Sequence, residues 1–264
     1  MNSIRPIAVI SGIKTGTWLT REIVKSITKM DFYEPEIIPG ERKYFNVKHL
    51  KFKENHFYSW HIIPTEEVIA KLNEEHAKTI FVVRNIYDLV VSIYYHFYNN
   101  IDADIGRGNN KDKFLKQFSF EEGLSLIISG FDENGLRWNG MQEVVINCNE
   151  ILKASSQCES LLLTFEEMVT SKENAVRKMA DFLSVTLSNS EIAHIAQISS
   201  FETMKNEAKS KSVGESHFRE GSHKKNREKL SLFHQVQLRQ IIKRYAPDLY
   251  ENAEKLKMQK IVEI

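Results

Sequence analysis

The stretch AVISGIKTGTWLTREIV, residues 8–24, decides how the rest of the chain is read. It runs from a short apolar segment through two glycines into a helical pattern. The segment IAVIS, residues 7–11, is rich in β-branched residues and predicts a buried strand. In residues 17–29, Leu19, Ile23, Val24 and Ile27 fall at i, i+4, i+5 and i+8, one face of an amphipathic helix. Between them, Gly12 and Gly16 permit the φ values of a tight turn. A strand, glycine turn and helix in this order present backbone N–H groups and the positive end of a helix dipole to an anion. Thr15 and Thr17 add hydroxyl donors, and Lys14 adds a charge. A plain βα turn has the same outline, so the loop alone leaves both readings open. In a triphosphatase the lysine follows the second glycine, with a Ser/Thr beside it for Mg²⁺. Here Lys14 precedes Gly16, and Trp18 and Leu19 stand where those groups belong. That order argues against a triphosphatase.

The remaining 240 or so residues set broad bounds. A chain of 264 residues fits one large domain or two small ones. It has no internal repeat and no low-complexity linker, so a single domain over residues 1–264 is expected. At 42% hydrophobic and 27% charged it has the composition of an ordinary globular protein. A net charge of +1 gives no electrostatic reason to expect nucleic acid or an acidic membrane as a partner. Cys148 and Cys158 lie in no metal-like spacing, which suits a reducing compartment. The apolar run in MNSIRPIAVIS is too short for a signal peptide core or a membrane span, and a cytoplasmic protein is expected.

Further apolar runs at residues 57–63, 79–83 and 161–165 alternate with helical patterns. Helices are expected after Thr65 as N-cap, over 89–100, 119–130, 138–153 and 172–184, and in the tail from residue 232. Residues 100–113 are polar and glycine-containing and read as a loop, and residues 205–229 are polar with no apolar period. Strands alternating with helices predict an α/β fold, a central parallel β-sheet flanked by helices. Ligands in such folds sit beyond the carboxyl ends of strands. The segments found there are SGIKTGT, RNIYD and EEM.

The second of these lies in TIFVVRNIYDLVVSIYYHF, residues 79–97. An arginine at a strand end, Arg84, can fork onto a phosphate through two hydrogen bonds. Ser92 follows eight residues later, a little over two helical turns, on the same side of the next helix. The bland alternative pairs Arg84 with Asp88. Together the two stretches resemble the cytosolic-type sulfotransferases. Ser11-Gly12-Ile13-Lys14-Thr15-Gly16-Thr17 is similar to that family's 5′-phosphosulfate loop, commonly S-Y-P-K-S-G-T-T-W. Arg84, Asn85, Asp88, Ser92 and His96 keep the spacing of its R-N-x-x-D-x-x-x-S-x-x-x-H motif. The resemblance implies a P-loop-like sulfotransferase fold. It also implies a co-substrate, 3′-phosphoadenosine 5′-phosphosulfate (PAPS), with adenosine 3′,5′-bisphosphate (PAP) as product and no metal. Lys14, Thr15, Gly16 and Thr17 would hold the 5′ end, Arg84 and Ser92 the 3′-phosphate, and Trp18 would stack on adenine or take a threonine's place.

Three weaker stretches extend the resemblance to about residue 231. SSFETMKNEAKS, residues 199–210, is similar to the segment that passes the adenine, with Ser199 and Phe201 in contact with the nucleotide. HFREGSHKKNREKLS, residues 217–231, supplies Arg219, Glu220 and Gly221 near the 3′-phosphate, with Glu220 replacing the usual lysine. Phe165, opening EEM, stands where a nucleotide-contacting tyrosine is usual.

Sulfuryl transfer is an in-line displacement governed by positioning and electrostatics. The attacking hydroxyl or amine must lose a proton, a task suited to histidine. Of nine histidines, His61 ends FYSWH before Ile-Ile-Pro and resembles the family's K-T-H-L-P base. Ser59 takes the place of that motif's lysine, and Glu66 and Glu67 are fallback bases. Lys14 would offset charge on the leaving phosphate, and Ser92 would hold Lys14 aside until acceptor binds. The acceptor is expected to be a small molecule, with Asp102, Asp104, Asp132, Glu133 and Glu143 favouring a polar one and Trp60, Tyr94, Phe97 and Trp138 an aromatic pocket. The family's dimer motif is poorly kept, so a monomer or weak dimer is expected. Two other readings stand beside this one: a nucleotide kinase or triphosphatase, and a catalytically silent nucleotide-binding protein.

Overall fold

Apolar β-branched residues suit a strand covered on both faces, and all five residues of β1 (Ile7–Ser11) are buried. The computed structural model describes residues 5–33, 47, 50–100, 110–210 and 226–247. After β1 come α1 (Thr17–Thr28), β2 (Asp31–Tyr33), β3 (His56–Trp60), α2 (Glu66–Glu74) and β4 (Lys78–Val83). Then follow α3 (Ile86–Tyr98), α4 (Lys111–Leu115), α5 (Phe120–Ser129), β5 (Phe131–Glu133), β6 (Leu136–Trp138) and α6 (Met141–Ala154). The rest is β7 (Ser160–Thr164), α7 (Phe165–Thr170), α8 (Lys172–Leu183), α9 (Asn189–Ile198), α10 (Phe201–Ser210), a 3₁₀ turn at Arg227–Lys229 and α11 (Leu232–Tyr245). The chain gathers into two compact units, a division of which the sequence gives no sign. One takes the chain up to Arg84 and Asn147–Ser199, the other Asn85–Ile146 and the chain from Ser200.

The first unit holds a five-stranded sheet in the order β2-β3-β1-β4-β7. Every pairing is parallel, with Ile10 opposite Trp60 and Phe81, and Val83 opposite Thr164. The residues that follow β1, β3, β4 and β7 therefore emerge at one edge of the sheet. Three of these strands, β1, β4 and β7, were expected; β3 falls in the apolar run at 57–63, and the three-residue β2 was not expected. It lies at the outer edge, where Lys25 pairs with Asp31 at 2.6 Å. α1 buries Leu19, Ile23, Val24 and Ile27 as its period predicts. Thr65 caps α2, accepting from the Val68 amide. Thr164 likewise accepts from the Glu167 amide, so the chain turns helical at Phe165, one residue before the expected strand end. The unexpected α9 starts at a capping box formed by Ser188 and Glu191. Cys148 and Cys158 are free thiols, and burial, with the nearby Glu166 charge, pushes Cys148 up to about 12.

The second unit is built on α3. Tyr94 stacks on Tyr98 at 5.4 Å and meets Phe120 edge-on at 5.0 Å. Gly123 lets α5 approach, since a Cβ there would lie 2.5 Å from the Tyr94 ring. The helix expected from residue 138 begins at Met141, because β5 and β6 form a hairpin. Its turn is Asn134-Gly135, both at positive φ, as a type I′ turn requires. α4 and α10 occupy parts of the two polar stretches, while residues 101–109 and 211–225 lie outside the described residues. α3 opens with Asn85 accepting from the amides of Tyr87 and Asp88. Asp88 is fully buried and accepts from the Arg227 amide and from its guanidinium, each at 3.0 Å. Removing one partner of such a pair strands the other charge. Asp88→Ala is expected to lower the stability by about 3 kcal/mol, read as a shift of the urea midpoint at constant m-value.

Candidate active site

The centre of the site is the turn between β1 and α1. Ser11 is buried at the strand end, and the chain then passes through Lys14 at φ +59 and Gly16 at φ +101 before α1 begins. Left-handed residues on either side of Thr15 build the concave run of amides that binds anions. α1 has no side-chain cap and no acidic residue in its first turn. Among the described residues, the amides of Ile13, Thr15, Gly16 and Thr17 donate to no acceptor. The hydroxyls bond within the turn. Thr15 donates to the Gly12 carbonyl at 2.8 Å, Thr17 and Ser11 share a hydrogen bond of 2.8 Å, and Thr20 donates to the Gly16 carbonyl at 3.1 Å. They brace the turn.

Arg84, directly after β4, is only 6% exposed. Its Nη1 donates to the Lys14 carbonyl at 3.0 Å, and its guanidinium carbon lies 4.1 Å from the centre of the Phe165 ring. The ion pair with Asp88 does not form, since Arg227 takes that carboxylate. Phe165 in turn presses on Gly16, where a Cβ would lie 2.7 Å from the ring. Glycine is thus required at residue 16 by both φ and space. Sequence reasoning assigned Phe165 to the nucleotide; the structure shows its ring against Arg84.

His61 follows β3 at the same sheet edge. Its Nδ1 is 2.9 Å from the Ser11 carbonyl oxygen and 3.4 Å from the Ser11 hydroxyl. A carbonyl only accepts, so Nδ1 carries the hydrogen. In the neutral ring the basic lone pair then belongs to Nε2. Glu66 and Glu67, the fallback bases, are exposed in the first turn of α2, where they complement its dipole. One neighbour went unread in the sequence. Arg21 of α1 is buried and donates to the Ser59 hydroxyl at 2.8 Å and the Ser59 carbonyl at 2.9 Å. Its guanidinium also lies over Phe32 at 4.4 Å and Trp18 at 5.6 Å. It therefore clips the helix that starts at the anion turn to the strand that ends at His61. Its place one turn before Val24, on the buried side of α1, was the available signal.

The other expected residues fall as follows. Trp18 is 39% exposed, whereas Leu19 is buried. Ser199 is fully buried and spends its hydroxyl hydrogen on the Ile195 carbonyl at 2.7 Å, while Lys172 donates to its own carbonyl. As a donor to nucleotide it is therefore already committed. Ser92 on α3 and Phe201 at the start of α10 are half-buried in the second unit. Arg219, Glu220 and Gly221, with Asp102 and Asp104, lie outside the described residues. Asp132 and Glu133 are exposed on the hairpin, and Asn139 donates to Glu143, so these acids form a solvated surface. Trp60, Tyr94 and Phe97 are buried in the cores of their units. Trp138 is half-buried, donating to the Ile127 carbonyl at 2.8 Å and meeting Phe97 edge-on at 5.1 Å. Among the described residues no three His, Cys, Asp or Glu side chains gather as metal ligands, and no helix is long and apolar enough to cross a membrane.

A family model described as "Sulfotransferase domain" matches residues 5–259. No curated protein matches the sequence. Among solved structures, mouse sulfotransferase SULT7A1 complexed with PAP is 17% identical, with a TM-score of 0.68 over 96% of this chain and 88% of that one. A retinol dehydratase in complex with androsterone and inactive cofactor PAP is also 17% identical, with a TM-score of 0.64 over 92% and 81%. The same name appears in a complex with retinol and PAP, at 17% identity and a TM-score of 0.62 over 90% and 82%. At such identities the likeness is one of fold.

Alanine at residue 16 would be strained by its φ and would strike Phe165. Gly16→Ala is expected to destabilise the protein by about 2 kcal/mol. Urea denaturation measures it; a stability equal to the parent's would mean that the turn yields freely.

Proposed function

The chain belongs to the sulfotransferase domain family, and on that premise we propose that it moves a sulfuryl group from PAPS to a hydroxyl or amine of a small molecule, with His61 as general base. The observation that carries this reading is the bond between His61 Nδ1 and the Ser11 carbonyl. It fixes the ring in the tautomer whose Nε2 accepts a proton, and it does so at the strand end that opens into the anion turn.

The residues present fit the donor. Amides at 13 and 15–17, the α1 dipole and the Lys14 ammonium suit a phosphosulfate. Arg84 has five N–H donors, so a bond to Lys14 is compatible with a fork onto the 3′-phosphate. Ser92 joins it from its spacing alone, and the exposed ring of Trp18 suits adenine. In the transfer, the acceptor oxygen or nitrogen bonds to sulfur as the bond from sulfur to the bridging phosphate oxygen breaks. The acceptor proton passes to His61 Nε2, and the charge that builds on the departing phosphate is offset by Lys14. A polar acceptor remains our expectation, resting on the residues between 99 and 118.

Thermal shift with PAP, ADP and ATP side by side tests the donor. Stabilisation by PAP well above that by ADP or ATP, without Mg²⁺, is expected; a Mg²⁺-dependent preference for ATP would replace the reading with a kinase or triphosphatase. The base is tested separately. His61→Ala is expected to lower kcat by roughly 10²–10⁴-fold, with PAP affinity unchanged within a few-fold. Near-normal turnover in that variant would remove His61 from the mechanism.

A further inference from the structure

Lys14 is an unusual residue to find at φ +59, where a Cβ meets the following carbonyl. Something must hold it there, and Arg84 does so by taking its carbonyl in a 3.0 Å hydrogen bond. The peptide that follows is trans, so its C=O and N–H point in opposite directions. With the oxygen drawn to Arg84, the Thr15 amide is aimed the other way. Were this peptide to rotate, a carbonyl oxygen would face the anion in place of an amide. Arg84 is itself held, since it lies 4.1 Å over Phe165, and Phe165 packs on Gly16, the second left-handed residue of the same turn. Lys14, Arg84, Phe165 and Gly16 thus close a ring of contacts around the loop.

We propose that Arg84 is a positioning residue for the 5′ anion loop, in addition to any contact with the 3′-phosphate. The loop's affinity for an oxyanion then depends on Arg84 even when the ligand carries no group that reaches it. This inference rests on the nucleotide reading above and adds a second duty to one of its residues. A phosphate ligand alone would matter only to nucleotides that bear the phosphate.

The test uses PAP and adenosine 5′-phosphosulfate, which lacks the 3′-phosphate, titrated calorimetrically into the full chain and its variants Arg84→Gln and Phe165→Leu. Both variants are expected to lose affinity for both ligands, Arg84→Gln by about tenfold or more, the scale of a hydrogen bond to a charged group. Phe165→Leu removes the ring beneath the guanidinium and no polar atom. It carries the test by itself if circular dichroism shows Arg84→Gln unfolded. Relaxation dispersion at the Thr15 and Gly16 amides, recorded without ligand, is expected to appear in the variants and to be absent from the parent, as a loosened peptide exchanges between orientations. The proposal is overturned if Arg84→Gln weakens PAP alone, leaves adenosine 5′-phosphosulfate untouched and adds no dispersion. Failure of the parent to bind either ligand would overturn the nucleotide reading instead, and the ligand-free dispersion would then decide the positioning role.

Discussion

At the carboxyl end of β1 the backbone enters the left-handed region twice within three residues, at Lys14 and at Gly16. At Gly16 the conformation is nearly free, because no Cβ is present. At Lys14 it costs roughly 1–2 kcal/mol, and a hydrogen bond to a charged donor is worth about 1.5–3 kcal/mol. Arg84 therefore suffices to hold the turn. The arrangement works because β1 is the middle strand of the sheet, with β3 and β4 on either side. The residues that contact this segment follow strands of the same sheet: His61 after β3, Arg84 after β4 and Phe165 after β7.

Strand register is what brings the histidine to the turn. Ile10 lies opposite Trp60, so the next residues, Ser11 and His61, meet at the ends of their strands. A slip of one residue between β1 and β3 would exchange the faces of every β3 side chain and leave Ser11 beside a tryptophan. The clip from Arg21 to both oxygens of Ser59 opposes such a slip from the helix side. A polar strand position in mid-sheet is thereby turned to use, since a buried serine needs partners.

How much of this could be read in advance depends on the range over which each residue acts. β1, its turn and α1 were legible because period and glycine placement are local signals. The same holds for Thr65, a cap followed by its helix. The Asn134-Gly135 hairpin was equally local and went unread, although that dipeptide is the strongest short-range hairpin signal. β2 was not legible: three residues carry no period, and their strand state comes from pairing with β3. Nor was the partition of the R-N-x-x-D motif. Asn85 caps a helix and Asp88 anchors Arg227, 139 residues away, while Arg84 holds a loop 70 residues upstream. Spacing alone cannot separate a residue that grips ligand from one that grips the chain. Thr15 and Thr17 make the same point in miniature, since their hydroxyls look inward to the turn.

The sheet's outer strand has a consequence for the protein in concentrated solution. β2 offers three residues, flanked by the charged pair of Lys25 and Asp31. An incoming chain would find too short a row of peptide groups to template on, and a pair of charges to desolvate before it could add a sixth strand. Among the described residues, a parallel sheet, slow to form and prone to edge-to-edge growth while it forms, is thus guarded on this side by brevity and charge.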